Sequence, residues 1–188
     1  PEIIDMMQEM MKTNYGNPSS VHSYGRESKI VVEKSRKTIA KLLNTSPSSI
    51  FFTSGGTEAD NMAIKCAIND YTIQHAITSK ISHHAVLYPL LDLEKEKSIN
   101  LSYVDIDKNG EISLSHLEEL LKSNSRTFVS IMHANNEIGT IQPLKEIGIL
   151  CKKYNAIFHS DTVQTMAHFP FDMQTINVDF IAASAHKF

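Results

Sequence analysis

Cysteine is scarce in this sequence of 188 residues, and its scarcity excludes two kinds of stabilised fold. The two cysteines, Cys66 and Cys151, stand far apart within helical patterns and form no CxxC pair. A disulfide framework and a structural zinc site both need more, and more closely spaced, cysteines, so we expect neither. We expect both thiols to lie in the protein core.

Clusters of basic residues and long apolar runs are missing as well. The 18 Lys and Arg residues are scattered among 21 Asp and Glu residues, so there is no basic patch for a nucleic-acid backbone. No apolar run is long enough to span a bilayer, and the N-terminal PEIIDMMQEM is acidic where a secretory signal is basic and then apolar. We expect a cytoplasmic protein that binds neither nucleic acid nor a membrane.

The residues that are present predict an α/β fold. Hydrophobic residues make up 41% of the chain, which is enough to bury a real core. Helical spacing of apolar residues predicts two helices, over residues 1–14 and 24–43. Six short β-prone runs follow, at residues 50–54, 75–79, 100–106, 127–133, 156–160 and 179–184. Helical patterns separate most of them, at residues 57–70, 84–98, 113–123 and 143–155, and Ser115 with Glu118 fits a capping box for the third. This alternation predicts a mostly parallel sheet with helices on both faces.

Ligands of such sheets lie beyond the carboxyl ends of the strands. Five segments follow predicted strands and hold nearly all the unusual polar chemistry of the chain: SGGTE, KISHH, HANNEIG, SDTVQ and SAHKF. We therefore expect these segments to meet along one edge of the sheet.

The segment SGGTE is a candidate phosphate site at the start of a helix. Its two glycines allow close approach of the backbone, and free N–H groups at a helix start favour an anion. The alternative is an ordinary strand-to-helix turn with Ser54 or Thr57 as the N-cap. The segment is neither a P-loop nor a GxGxxG motif.

The neighbouring residues His83 and His84 cannot both face one site if they lie on a helix. An imidazole at this position could stack on an aromatic ligand and move a proton near neutral pH, or it could be an ordinary surface histidine. None of the nine histidines belongs to an HExxH motif, so a zinc site is not expected.

The remaining polar segments each allow two interpretations. Asp161 and Gln164 fit a capping box, or a carboxylate that faces a protonated ring nitrogen. Asn135 and Asn136 are either turn residues or amide donors to a phenolate-like oxygen. Lys187 is either a solvated side chain or the amine that forms a Schiff base with an aldehyde cofactor. Taken together, these parts describe a site for pyridoxal 5′-phosphate, the common cofactor that needs all of them.

Six segments closely resemble, in order and spacing, the motifs of the cysteine desulfurases of the NifS and IscS type, within the class V aminotransferase superfamily. They are NPSSVHSYG, FTSGGTEADNMAI, ITSKISHHAVL, MHANNEIGTIQP, HSDTVQ and SAHKF. The resemblance runs from about Tyr15 to the end of the sequence. It implies the large cofactor domain of the fold-type I pyridoxal-phosphate-dependent transferases.

The resemblance also implies roles for individual residues. Four of them would hold the cofactor phosphate, namely Gly56, Thr57, Ser184 and His186. His83 would stack on the ring, and Lys187 would carry the Schiff base. Asp161, Gln164 and Asn136 would address the pyridine nitrogen, the phenolic oxygen and their surroundings. No metal is implied.

Some family features are missing from the sequence. The family's Asp-Asn-Ala-Thr-Thr-like segment would precede this chain, and Thr162 stands where the family often has a small residue. The family's persulfide-forming cysteine and substrate-binding arginine would lie beyond Phe188, and neither Cys66 nor Cys151 matches that cysteine. We expect residues 1–14 to be an N-terminal helical arm, residues 15–188 to be an incomplete cofactor domain, and a C-terminal small domain to be absent.

The implied function is conversion of L-cysteine to L-alanine, with sulfur passed through an enzyme persulfide to iron–sulfur or thiolation partners. The protein would be a homodimer, and the 188 residues alone would be inactive. Two alternatives stay open at this point. One is another class V enzyme, such as a selenocysteine lyase, and the other is a non-catalytic scaffold.

Overall fold

The computed structural model describes residues 2–187, which form two compact units that divide between Phe51 and Phe52. The first unit contains helices α1 (Glu2–Thr13) and α2 (Ser23–Leu42) and a 3₁₀ turn, Pro47–Ser49. Both helices agree with the sequence prediction, although Pro1 itself lies outside the described residues. The predicted domain boundary between residues 14 and 15 stays a prediction.

The second unit alternates strands and helices. Its helices are α3 (Gly56–Asp70), α4 (His84–Lys95), α5 (Leu114–Ser123), α6 (Leu144–Lys153) and the short α7 (Met173–Ile176). Its strands are β1 (His75–Thr78), β2 (Asn100–Tyr103), β3 (Thr127–Ser130), β4 (Ile157–Asp161) and β5 (Phe180–Ala182), and a final 3₁₀ turn covers Ala185–Lys187. Among the described residues, no helix is both long enough and apolar enough to cross a membrane.

The five strands form one parallel sheet in the order β2-β1-β3-β4-β5. The chain moves from β1 outward to β2, then returns past β1 to β3 and continues in the other direction. This reversal creates a crevice at the carboxyl edge, between the connections that leave β1 and β3, where parallel sheets bind ligands. The predicted α/β architecture is confirmed.

The hydrophobic core fixes α3 and α4 against the sheet. Ile64 and Ile68 on α3 and Leu90 on α4 are buried against Ala76 of β1 and Phe128 of β3, which are paired neighbours in the sheet. Burial of side chains of this size stabilises a fold by roughly 1.5–3 kcal/mol each. The packing therefore holds the first turn of α3 in place relative to the strand ends.

Two local predictions were wrong. Residues 51–53 form no strand, and the rings of Phe51 and Phe52 are at least half exposed, because β-propensity depends on a half-buried sheet surface that this segment does not reach. The N-cap of α5 is Ser113, which accepts a hydrogen bond from the N–H of His116, so Ser115 and Glu118 form no capping box. Glu118 instead binds Lys153 and Tyr154 of the α6 end.

Candidate functional site

A cavity of about 360 Å³ lies at the carboxyl edge of the sheet. Its lining comes from the start of α3, the start of α4, and the segments at or after the ends of β3, β4 and β5. All nine residues predicted for the site line it, namely Gly56, Thr57, His83, Asn136, Asp161, Gln164, Ser184, His186 and Lys187. Asp60, Ala85, Met132 and Val163 complete the lining.

The first turn of α3 forms one wall of the cavity. Its N-cap is Gly55, and no side chain caps the helix, so neither Ser54 nor Thr57 has the capping role that was the alternative interpretation. A Cβ atom at Gly56 would lie 2.9 Å from Cγ2 of Val163, whereas one at Gly55 would meet nothing within 4 Å. Glycine at position 56 therefore lets the helix start approach the opposite wall.

The turn after β5 faces the start of α3. The Oγ atom of buried Ser184 and Nδ1 of His186 are 2.9 Å apart and form a hydrogen bond. The N–H of Lys187 donates to the carbonyl of Ser184, and Nε2 of His168 lies 3.1 Å from the carbonyl oxygen of Lys187. These contacts fix the backbone of the lysine while its side chain is exposed.

Asp161 is the last residue of β4 and is buried. No helix begins there, so it is not part of a capping box. Its Oδ1 accepts the N–H of Val163 at 3.0 Å, which makes a local turn and leaves Oδ2 for a ligand. Burial, followed by the negative charge of Asp60, raises the pKa of Asp161, and the hydrogen bond from Val163 opposes that rise. A cationic group in the cavity would stabilise the carboxylate.

The two asparagines after β3 have different environments. Asn135 is buried, donates to the carbonyl of Ile81, and accepts the N–H groups of Glu137 and Ile138, so it holds the turn. Asn136 is exposed and lines the cavity, as Gln164 does. Only Asn136 of the pair is therefore available to a ligand in this cavity.

The two histidines at the start of α4 also diverge. His83 is the N-cap, and its Nδ1 accepts the N–H of Ala85 at 3.1 Å, which leaves Nε2 as the nitrogen that can exchange a proton with a ligand. His84 lines a neighbouring groove and stacks on Tyr88, with ring centroids 4.8 Å apart. His83 alone of the two lines the cavity that contains Asp161.

Sequence reasoning missed Asp60 and its partner. Asp60 lies one turn along α3 from Gly56, on the same helix face, and is buried in the cavity lining. Its Oδ1 is 3.3 Å from Nε2 of His159, which precedes Asp161 by two residues and so points to the same face of the sheet. The four-residue spacing of Gly56 and Asp60 and the two-residue spacing of His159 and Asp161 are the sequence features that could have indicated that both residues lie near the site.

The prediction for the cysteines was half right. Cys151 is buried, and its burial raises the pKa of the thiol. Cys66 is exposed, which contradicts the prediction, because its position on α3 points away from the sheet. The thiol of Cys66 lies about 15 Å along the helix from Gly56 and does not line the cavity.

The arrangement can hold a flat, anionic ligand with a basic ring nitrogen. Uncapped N–H groups and the hydroxyls of Thr57 and Ser184 suit a phosphate, and a carboxylate lies deeper in the cavity at Asp161. Lys187 adds an amine at the same cavity. The residues present therefore fit pyridoxal 5′-phosphate.

Comparison with known proteins points in the same direction. The family model described as aminotransferase class-V matches residues 1–188. The chain is 42% identical over 189 residues to the cysteine desulfurase IscS of Dictyoglomus turgidum, covering 100% of this chain and 48% of that protein. The chain spans about half the length of such relatives.

Two solved structures share the fold. A NifS-like protein matches with a TM-score of 0.93 and 38% identity, over 100% of this chain and 52% of that one. A structure described as SspA in complex with cysteine matches with a TM-score of 0.91 and 31% identity, over 99% of this chain and 54% of that one.

Proposed function

The chain belongs to the aminotransferase class-V family, and from this premise we propose that it forms the cofactor-binding part of a pyridoxal-phosphate-dependent cysteine desulfurase. Family membership and the cysteine desulfurase relatives imply dependence on pyridoxal 5′-phosphate in general. The observation that carries the proposal is the convergence of nine predicted residues, from five separate segments, on one cavity.

The proposed binding mode uses the two ends of the cavity. Gly56 and Thr57, at the uncapped start of α3, hold the phosphate together with Ser184 and His186. His83 stacks on the ring, and Gln164 and Asn136 donate to its phenolic oxygen and surroundings. When bound, the cofactor supplies an aldehyde that bonds to amines and a protonated ring that withdraws electrons from the substrate carbon.

The chain's own residues then have distinct tasks. Asp161 keeps the ring nitrogen protonated, because a buried carboxylate stabilises an adjacent cation. Lys187 would supply the amine that holds the aldehyde, and its Nζ, once the amino group of L-cysteine has replaced it there, would be the base that takes the proton from the α-carbon. Both tasks need Lys187 fixed, as its backbone contacts with Ser184 and His168 fix it.

The substrate and partners complete the proposal. L-cysteine loses its sulfur to a thiolate, which becomes a persulfide, and L-alanine is released. The acceptor thiolate lies outside residues 1–188, because Cys151 is buried and Cys66 does not line the cavity. The persulfide serves iron–sulfur or thiolation proteins, the enzyme is a homodimer, and its cytoplasmic location remains a prediction from the sequence.

The direct test incubates the full-length protein with pyridoxal 5′-phosphate and L-cysteine and measures alanine and released sulfur. We expect equal amounts of the two, and none from a Lys187→Ala variant. Formation of a keto acid without sulfur release would instead identify an aminotransferase and refute the desulfurase proposal. Absence of alanine under saturating cofactor would refute it too.

A further inference from the structure

A second carboxylate and an imidazole are buried beside Asp161, and the proposed function assigns them no role. Asp60 and His159 are almost completely buried, and Oδ1 of the aspartate lies 3.3 Å from Nε2 of the histidine. Neither atom has a hydrogen-bond partner among the described residues. Their contact is therefore one of charge rather than of an aligned hydrogen bond.

Two buried residues, Ser130 and Phe128, contact the ring of His159. Its Nδ1 lies 2.9 Å from Oγ of Ser130, and its ring stacks at 6.0 Å on Phe128, which is buried. Each ring nitrogen therefore lies close to an oxygen atom, Nδ1 to the hydroxyl of Ser130 and Nε2 to the carboxylate of Asp60. A buried carboxylate such as Asp60 is costly unless a positive charge compensates it, and His159 is the nearest group that can carry one.

The position of the pair relates it to the cofactor site. Asp60 lines the same cavity as Asp161, and His159 shares the sheet face of Asp161. The other titratable groups that line this cavity are His83 at the start of α4 and His186 and Lys187 after β5. None of these three is buried, so solvent screens them more strongly than it screens the pair.

We propose that Asp60 and His159 form a buried ion pair whose positive member keeps Asp161 ionised for the cofactor's ring nitrogen. Without His159, two uncompensated carboxylates would face one cavity, and one of them would hold a proton. Both residues are then positioning residues that act through Asp161. This inference rests on the proposed function for its consequence, although the ion pair itself does not require the cofactor.

The first experiment removes the positive member. In the full-length protein, the affinity for pyridoxal 5′-phosphate is measured against pH in wild type, in His159→Gln and in the double variant Asp60→Asn/His159→Gln. As the pH is lowered, protonation of Asp161 should weaken cofactor binding, and we call this part of the pH profile the acid limb. In His159→Gln we expect the acid limb to lie about one pH unit higher than in wild type, because Asp60 then repels the charge on Asp161. The double variant should return to the wild-type limb, since it removes the repelling charge as well.

The matched control is His75→Gln. This histidine is also buried, on β1, and binds Ser102 rather than lining the cavity. It should lower stability without moving the acid limb. An unmoved limb in His159→Gln, or a double variant that does not return to the wild-type limb, would overturn the inference.

A second experiment tests, in the absence of the cofactor, whether Asp60 and His159 form an ion pair. Nuclear magnetic resonance of ¹⁵N-labelled histidine in the apo-protein reports protons on the nitrogens of His159, assigned by their loss in a His159 variant. We expect both nitrogens to be protonated at neutral pH in wild type and one to lose its proton in Asp60→Asn. A neutral His159 in wild type would refute the pair. Failure of wild type to bind the cofactor would instead refute the proposed function while leaving this result decisive.

Discussion

Asp161 combines burial with a ligand-facing oxygen, a combination that an ordinary structural aspartate does not need. Its carboxylate is desolvated and lies near Asp60, and both effects raise its pKa. A buried acid of this kind is stabilised when a cation occupies the cavity. A protonated pyridine nitrogen would bring such a positive charge into the cavity.

We predict that Asp161→Asn weakens binding of pyridoxal 5′-phosphate by about 10- to 100-fold, because a charge-assisted hydrogen bond contributes roughly 1.5–3 kcal/mol. The exposed acid Glu96, changed to Gln, serves as the control and should leave the affinity unchanged. Titration of the cofactor's visible absorption measures both. Equal affinities in the two variants would show that Asp161 does not bind the ring.

Gly56 offers a second test at the scale of single residues. We predict that Gly56→Ala weakens cofactor binding at least about tenfold, because its methyl group would lie 2.9 Å from Val163 and push the helix start away from the phosphate. Gly55→Ala is the matched control, since its methyl group meets no atom within 4 Å. If the two alanines behaved alike in a phosphate or cofactor titration, the close approach at Gly56 would have no role in binding.

At the scale of elements, variants at the start of α4 can distinguish the helix-capping role of His83 from its proposed role at the cofactor. His83 caps the helix with Nδ1, so His83→Ala removes about 1 kcal/mol of stability whatever else it does. Asparagine also caps well. We predict that His83→Asn keeps the unfolding midpoint near wild type and lowers cysteine turnover by about 100-fold or more, the loss typical of a proton-transfer group.

The neighbouring His84 provides the comparison for that variant. His84 stacks on Tyr88 and does not line the cavity that contains Asp161, so His84→Asn should leave turnover within about twofold of wild type. Turnover and thermal unfolding are measured on the same preparations. A larger loss in the His84 variant than in the His83 variant would mean that the roles of the two residues are reversed.

The elements also show what the sequence can and cannot predict. Helix and strand periodicity predicted the parallel sheet, because each βαβ unit leaves a local pattern in the chain. The run at residues 50–54 was misread as a strand, since a short aromatic segment has the same pattern whether or not a partner strand exists. The pairing of Asp60 with His159 could not be predicted, because it depends on how α3 packs over β4.

At the scale of the whole molecule, residues 1–188 contain the proposed cofactor site, and neither of their two thiols lies accessible beside it. Cys151 is buried with a raised pKa, and Cys66 lies outside the cavity lining. We predict that residues 1–188 expressed alone release no sulfide from L-cysteine in the presence of pyridoxal 5′-phosphate. A full-length control is assayed beside them, and sulfide release at a comparable rate by residues 1–188 would return Cys66 to consideration as the acceptor.

We propose that the cavity at the sheet edge binds pyridoxal 5′-phosphate through Lys187. Borohydride reduction of the full-length protein in the presence of the cofactor tests this binding mode, because it makes the bond between the aldehyde carbon and a lysine amine permanent. Peptide mass spectrometry then locates the modified lysine. We predict that Lys187 carries the cofactor and that Lys187→Ala yields no modified peptide. Modification of a different lysine in wild type, or none at all at saturating cofactor, would contradict it.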